Sequence, residues 1–181
     1  MKRNQLLKLL QVYQPVHVEE ILFKTSMINF IRHHADCFER TLAHGHITAS
    51  AWLLNQDHTH ALLMHHNKLD RWFQLGGHCD GDHNVLAVAL KEAQEESGIM
   101  GIAPVNTAIF DIDIHLIPDT PKEKAHYHYD VRFLLNVISD EQITKNSESK
   151  ELRWIPKNLQ DLPTDNPSVI RMFNKWFCYS K

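Results

Sequence analysis

Residues 76–99 read Gly76-Gly77-His78-Cys79-Asp80-Gly81-Asp82-His83-Asn84-Val85-Leu86-Ala87-Val88-Ala89-Leu90-Lys91-Glu92-Ala93-Gln94-Glu95-Glu96-Ser97-Gly98-Ile99. The second half predicts a helix over 84–97, with Gly98 as its C-terminal stop. At about 100° per residue, Glu92, Glu95 and Glu96 fall on one stripe, and Leu86, Ala89, Leu90 and Ala93 form an apolar stripe beside it. Three carboxylates are therefore expected to face one point, with no lysine on that stripe to relieve a repulsion of several tenths of a kcal/mol per pair. A cation is expected to gather them, and hard oxygen donors suit Mg²⁺ or Mn²⁺. The bland alternative is a solvated acidic face. What favours the cation is the double glycine ahead of the helix, which lets backbone approach a ligand and frees a main-chain carbonyl as a further donor. Asp80, Asp82 and Asn84 resemble the opening of a calcium loop. Val85 stands where that loop needs glycine and Lys91 where it needs a bidentate glutamate, which excludes an EF-hand.

Working outward, 47–54 and 60–65 are short runs bracketing Asn55-Gln56-Asp57, the pattern of a hairpin. Further strands are predicted at 105–116, 127–138 and 152–155, and a closing helix at 167–179. Residues 4–42 carry apolar residues at helical spacing, broken at Pro15. This predicts a helical extension over 1–45 followed by a domain over 46–181. Lys8 interrupts the apolar start, so the opening residues read as an amphipathic helix rather than a signal peptide.

With 181 residues and 43% hydrophobic side chains, the chain is long enough to bury a core, which excludes a disordered tail or a coiled coil. A net charge of −3 argues against long nucleic acid or an anionic membrane as partner. No run approaches the roughly 18 apolar residues of a membrane span. Three cysteines without a CxxC pair favour a reducing, cytoplasmic setting.

The segment from Gly77 to Ile99 resembles the Nudix box, the loop-and-helix signature of hydrolases that cleave nucleoside diphosphates linked to another moiety. Gly77 matches the opening glycine, Glu92 the glutamate after the usual arginine, Glu95 and Glu96 the paired glutamates, and Gly98-Ile99 the close. His83 replaces the box's first glutamate, Lys91 its arginine, and Leu75 the proline before the double glycine. The likeness, covering 47 to about 160, implies an α/β/α sandwich with a mixed sheet, here with an N-terminal helical extension. It implies Mg²⁺, or Mn²⁺, held by Glu92, Glu95, Glu96 and the Gly76 carbonyl. It also implies a small phosphoanhydride substrate, with Glu92, or Glu148 or Glu151 near Trp154, as general base.

The expected substrate contacts are His78, beside the double glycine, Arg71 and Trp72 before it, and His126 and His128, which share one strand face. With His115, that pair is also compatible with a transition-metal site or a plain solvent face. His33, His34, His44, His46, His65 and His66 read as surface or helix-end residues. Two rivals accompany the hydrolase: a non-catalytic Nudix-like domain that binds a nucleotide or protein, and a diphosphate isomerase, for which no suitable pair of cysteine and glutamate is evident. The N-terminal helices are expected to cap the pocket or form a homodimer interface.

Overall fold

The computed structural model describes residues 3–120 and 123–179; Met1 and Lys2, at the start of the expected extension, and residues 180–181 lie outside the described residues. Two helices, α1 (Asn4–Val12) and α2 (Val18–His33), precede β1 (Gly45–Leu54), β2 (His60–His66), β3 (Trp72–Phe73) and β4 (Leu75–His78). Helix α3 (Val85–Ser97) follows, then β5 (Ile102–Pro104), β6 (Asp111–Ile117), β7 (His126–Val137), β8 (Ser149–Pro156) and α4 (Pro167–Phe177). Among the described residues the strands form one eight-stranded mixed sheet.

Strand β1 is its centre. One edge pairs in parallel with β7 along its whole length, from Gly45 with Tyr127 to Leu54 with Asn136. The other is divided: Leu53 and Leu54 pair with β2, while Thr48 to Ala51 pair with β4. The predicted hairpin is thus present but meets only at its tip, because the glycine strand takes the rest of that edge. Strand β2 diverges to pair with β3 and β8, and β6 and β5 pair with β7. The expected strand over 105–116 is corrected: pairing ends at Pro104, resumes at Asp111, and 105–110 is irregular. Asn106 and the preceding proline suit a turn better than a ladder.

Period-two alternation sorts the core into two faces. Ile47, Ala49, Ala51 and Leu53 of β1, with Val131, Phe133 and Leu135 of β7, face Val88, Ala89 and Ala93 of α3 and Met27, Phe30 and Ile31 of α2. Trp52, Leu54, Leu63 and Leu134 point the other way, onto Val169, Met172, Phe173 and Trp176 of α4. Helix α4 starts where Asn166 accepts from the Ser168 and Val169 amides, with Pro167 in the first turn.

The N-terminal helices are built into this core. Phe30 stacks on Tyr129 at 3.9 Å between centroids. Tyr13 and Glu20 bond to each other and to Lys175 of α4. Lys175 and Arg171 belong to a buried ionic network with Asp111, Asp113, Asp130 and Arg132, which ties α4 to β6 and β7. No helix among the described residues is long and apolar enough to cross a membrane.

Candidate functional site

Helix α3 forms as its sequence predicts. Asn84 accepts from the Ala87 amide at its start, and Gly98, at φ 75°, closes it in the left-handed conformation. Its buried residues include Val85, Val88, Ala89, Ala93 and Glu96, so the apolar stripe is rotated from the expected one, with Leu86 and Leu90 only half-buried.

The double glycine is where strand and helix meet. Gly76 lies so close to β1 that a Cβ there would fall 2.7 Å from the Ser50 Cα, and its φ of 156° suits only glycine. A Cβ on Gly77 would fall 2.5 Å from Glu92 Oε2, so the Glu92 carboxylate lies directly over this residue. Glu96, 3% exposed, accepts the Gly76 amide at 2.8 Å. Burial pushes its carboxyl up to about 8, against the lowering effect of that hydrogen bond, and burial also raises Glu92.

One expectation about this stripe is corrected. Lys91 does relieve it, lying 3.5 Å from Glu92 and 3.3 Å from Glu95 at i,i+4. Glu92 and Glu96 lie against the glycine strand, and Glu95, the surface member of the stripe, pairs with Lys91. Of the late glutamates, Glu148 is the one whose charge raises both Glu92 and Glu96. Glu151 is directed elsewhere. Its neighbours Leu152 and Trp154 belong to the core shared with α3, so Glu151 and Arg153 alternate to the other face, where they pair at 2.6 Å.

Trp72 is likewise drawn into structure. It is packed in the core under α4, stacked with His65, and covered by the Arg153 guanidinium at 4.8 Å. Arg71 stays exposed on the preceding loop. His83 is half-buried before α3. Cys79 is buried, which raises its thiol and leaves it without nucleophilic character. Segment 37–40 supports the glycine loop: the Gly81 amide donates to the Phe38 carbonyl at 3.0 Å, and Arg40 pairs with Asp80.

Three expected substrate contacts, His78, His126 and His128, come together on the face opposite α3. His78 pairs across from Thr48 and His128 from His46, which puts all three imidazoles on the sheet face away from Ala49 and Gly77. His46 joins them, with its ring centroid 4.8–5.0 Å from those of His78, His126 and His128, and His115 lies 5.4 Å from His128. Sequence reasoning placed His46 at the surface, yet it is 2% exposed. Its place in phase with Trp52 and Leu54, on a strand apolar toward both faces, was the available signal.

A family model described as a NUDIX domain matches residues 44–177. Among solved structures, a NUDIX-family hydrolase from Clostridium perfringens is similar at TM-score 0.56 and 22% identity, over 72% of this chain and 95% of its own. A MutT protein from Methanosarcina mazei Go1 gives 0.57 and 18%, over 75% and 94%. The E. coli dihydroneopterin triphosphate pyrophosphohydrolase gives 0.54 and 15%, over 71% and 92%. Likeness at these identities establishes the fold. No curated protein matches the chain.

Proposed function

The chain belongs to the Nudix hydrolase family, and from that premise we propose that it breaks a phosphoanhydride bond in a nucleoside diphosphate linked to another moiety, in an Mg²⁺-dependent reaction. The observation that carries this reading is the pairing of Glu96 and Glu92 with consecutive glycines. One carboxylate holds the Gly76 amide and the other covers Gly77.

The residues fit a divalent cation. Glu92 and Glu96 bring desolvated carboxyl groups to one strand, and Lys91, largely exposed, is the cation beside them. Glu95 stands one helical step from Glu92 on the solvent side. In an extended strand a residue's N–H and C=O leave on the same edge, so the Gly76 carbonyl points toward the helix with the amide that Glu96 accepts. Glu92, Glu95, Glu96 and this carbonyl would hold Mg²⁺, or Mn²⁺. Bound there, the ion supplies positive charge against the phosphate oxygens and lowers the pKa of water.

The chain's own contribution is placement and charge. The glycines let the carboxylates reach backbone that a side chain would cover, and Glu148 adds negative charge that strengthens cation capture. Glu92 and Glu148 are the candidates to accept a proton from the attacking water. Segment 1–45 is an extension to the domain over 46–181 that buttresses the glycine loop through residues 37–40.

The test is a screen of nucleotide sugars, dinucleoside polyphosphates, NADH and CDP-alcohols with Mg²⁺, reading phosphate released through a coupling phosphatase, with Glu96→Gln as control. The wild type should turn over at least one compound, and the variant should lose about 100-fold or more. Equal rates would reject the assigned residues, and binding without turnover would favour the non-catalytic rival.

A further inference from the structure

We propose that His46, His78 and His128 form a second metal site, on the sheet face opposite α3, that binds a borderline divalent ion of the Zn²⁺ class.

Strand β1 and its neighbours β4 and β7 each supply one of these histidines. One ligand nitrogen from each histidine lies within 4.8 Å of the others, and among the described residues no other three His, Cys, Asp or Glu side chains gather so closely. His46 supplies an independent sign of a missing partner. It is 2% exposed, and neither ring nitrogen has a hydrogen-bond partner among the described residues. A buried polar group left unsatisfied costs about 1–3 kcal/mol, and such groups call for an explanation such as an ion. Among the described residues no neighbouring polar group, the adjoining imidazoles included, hydrogen-bonds to either nitrogen of His46.

The surrounding rings are oriented as metal-site histidines are. The His126 Nδ1 lies 2.7 Å from the Lys124 carbonyl and must donate to it, so Nε2 carries the lone pair, and this atom lies 3.3 Å from the His128 Nε2. His115 is held the same way, its Nδ1 lying 3.0 Å from Asp113 Oδ2. A carbonyl or carboxylate behind an imidazole fixes its tautomer and raises its basicity as a ligand. His126 is accordingly placed to support the triad.

The donor set decides which ion. Neutral imidazole suits Zn²⁺, Cu²⁺ or Ni²⁺ and is a poor match for Mg²⁺, which the carboxylates of α3 suit. The two sites are separated by the sheet, since the Glu92 carboxylate covers Gly77 on one face while His78 projects from the other. A cavity of about 210 Å³ bordered by Arg40, His46, His78, Lys124 and His126 opens beside the imidazoles. Three protein ligands with an open fourth position is the arrangement of a zinc site that exchanges water or a substrate oxygen, rather than of a closed structural site.

The test uses the full chain, stripped with a chelator and titrated with Co²⁺ in excess Mg²⁺. One equivalent should bind with the visible absorption of tetrahedral nitrogen-ligated Co²⁺, and Zn²⁺ should displace it. His46→Asn should weaken binding by about 10–100-fold or more. Because His46 is buried and its replacement can disturb folding, the half-buried His78→Ala is the companion variant and should weaken binding equally. The double variant Glu92→Gln/Glu96→Gln should keep the absorption even as it loses hydrolysis, which separates this site from the proposed catalytic one. Absence of the band in wild type, full Co²⁺ affinity in His78→Ala, or loss of the band in the glutamine double variant would each overturn the proposal.

Discussion

Replacing Arg171 by methionine should cost more stability than any surface change in this protein. Arg171 donates to Asp111 Oδ1 at 3.0 Å and Oδ2 at 2.9 Å, to Asp113 Oδ1 at 2.9 Å and to the Ile112 carbonyl at 2.9 Å, while itself 5% exposed. Its network sets four buried carboxylates, Glu20, Asp111, Asp113 and Asp130, against three cations, Arg132, Arg171 and Lys175. Methionine preserves the apolar stem but leaves four against two, with Asp111 fully buried. Breaking such a pair by removing one partner costs about 3–5 kcal/mol, because the remaining charge stays desolvated. For a chain of this size that lowers Tm by about 6–20 °C. Urea unfolding followed by circular dichroism reads it as a lower midpoint with an unchanged slope. Lys150→Ala is the control: its pair with Asp70 is exposed, so its loss should stay within about 1 kcal/mol. Adding Asp111→Asn to Arg171→Met should recover part of the loss, since the stranded charge goes with it. A cost for Arg171→Met under about 1 kcal/mol, or strict additivity in the double variant, would refute the view that this network is held by mutual charge compensation.

The same network sets the acid limit. Burial works to raise Asp111 and Asp113, but hydrogen bonds and charge from Arg132 and Arg171, joined by Lys175 at Asp111 and His115 at Asp113, outweigh it and hold both below the ordinary 3.8. The unfolded chain therefore binds protons first, so this stabilisation is complete above about pH 5 and is lost as pH falls through 3.8 and below; a midpoint in urea unchanged between pH 5 and pH 3 would contradict it. The two glycines should separate: Gly76→Ala drives a Cβ against Ser50 backbone and should cost about 1–3 kcal/mol in thermal unfolding, whereas Gly77→Ala displaces only the Glu92 carboxylate and should spare the fold while lowering hydrolysis. Phe30→Ala, which removes the ring stacked on Tyr129, should cost about 3–5 kcal/mol by urea unfolding, and a cost under about 1 kcal/mol would show the N-terminal helices to be dispensable to the core.

Local signals carried much of this architecture. The bounds of helix α3 were legible because Asn84 and Gly98 mark its ends, and the Nudix likeness over Gly77 to Ile99 implied the fold that the family match bears out. The i,i+4 relation of Lys91 to Glu95 was equally present in the spacing. So was the direction of Glu151, since Leu152 and Trp154 alternate inward. What local pattern does not carry is which strands become neighbours. His46 and His128 are partners only because β1 and β7 run in parallel, and nothing near either residue specifies that pairing. The gathering of imidazoles was therefore seen only as the pair His126 and His128 on a single strand. Likewise the rotamers of Glu92 and Glu96 follow from the glycine strand beneath them, not from helix periodicity.

That parallel pairing also governs when the molecule can assemble. Thr48 bonds to Asp130 across 82 residues of chain, so on the ribosome the central ladder must wait until nearly three quarters of the polypeptide has emerged. Until then β1 has only β2 and the glycine strand as partners, both on its other edge, and the edge that β7 takes stays open. Contacts this distant in sequence slow the search for the native state, so refolding from denaturant should be slow for a protein of this size, and the histidine triad should form with the ladder rather than ahead of it.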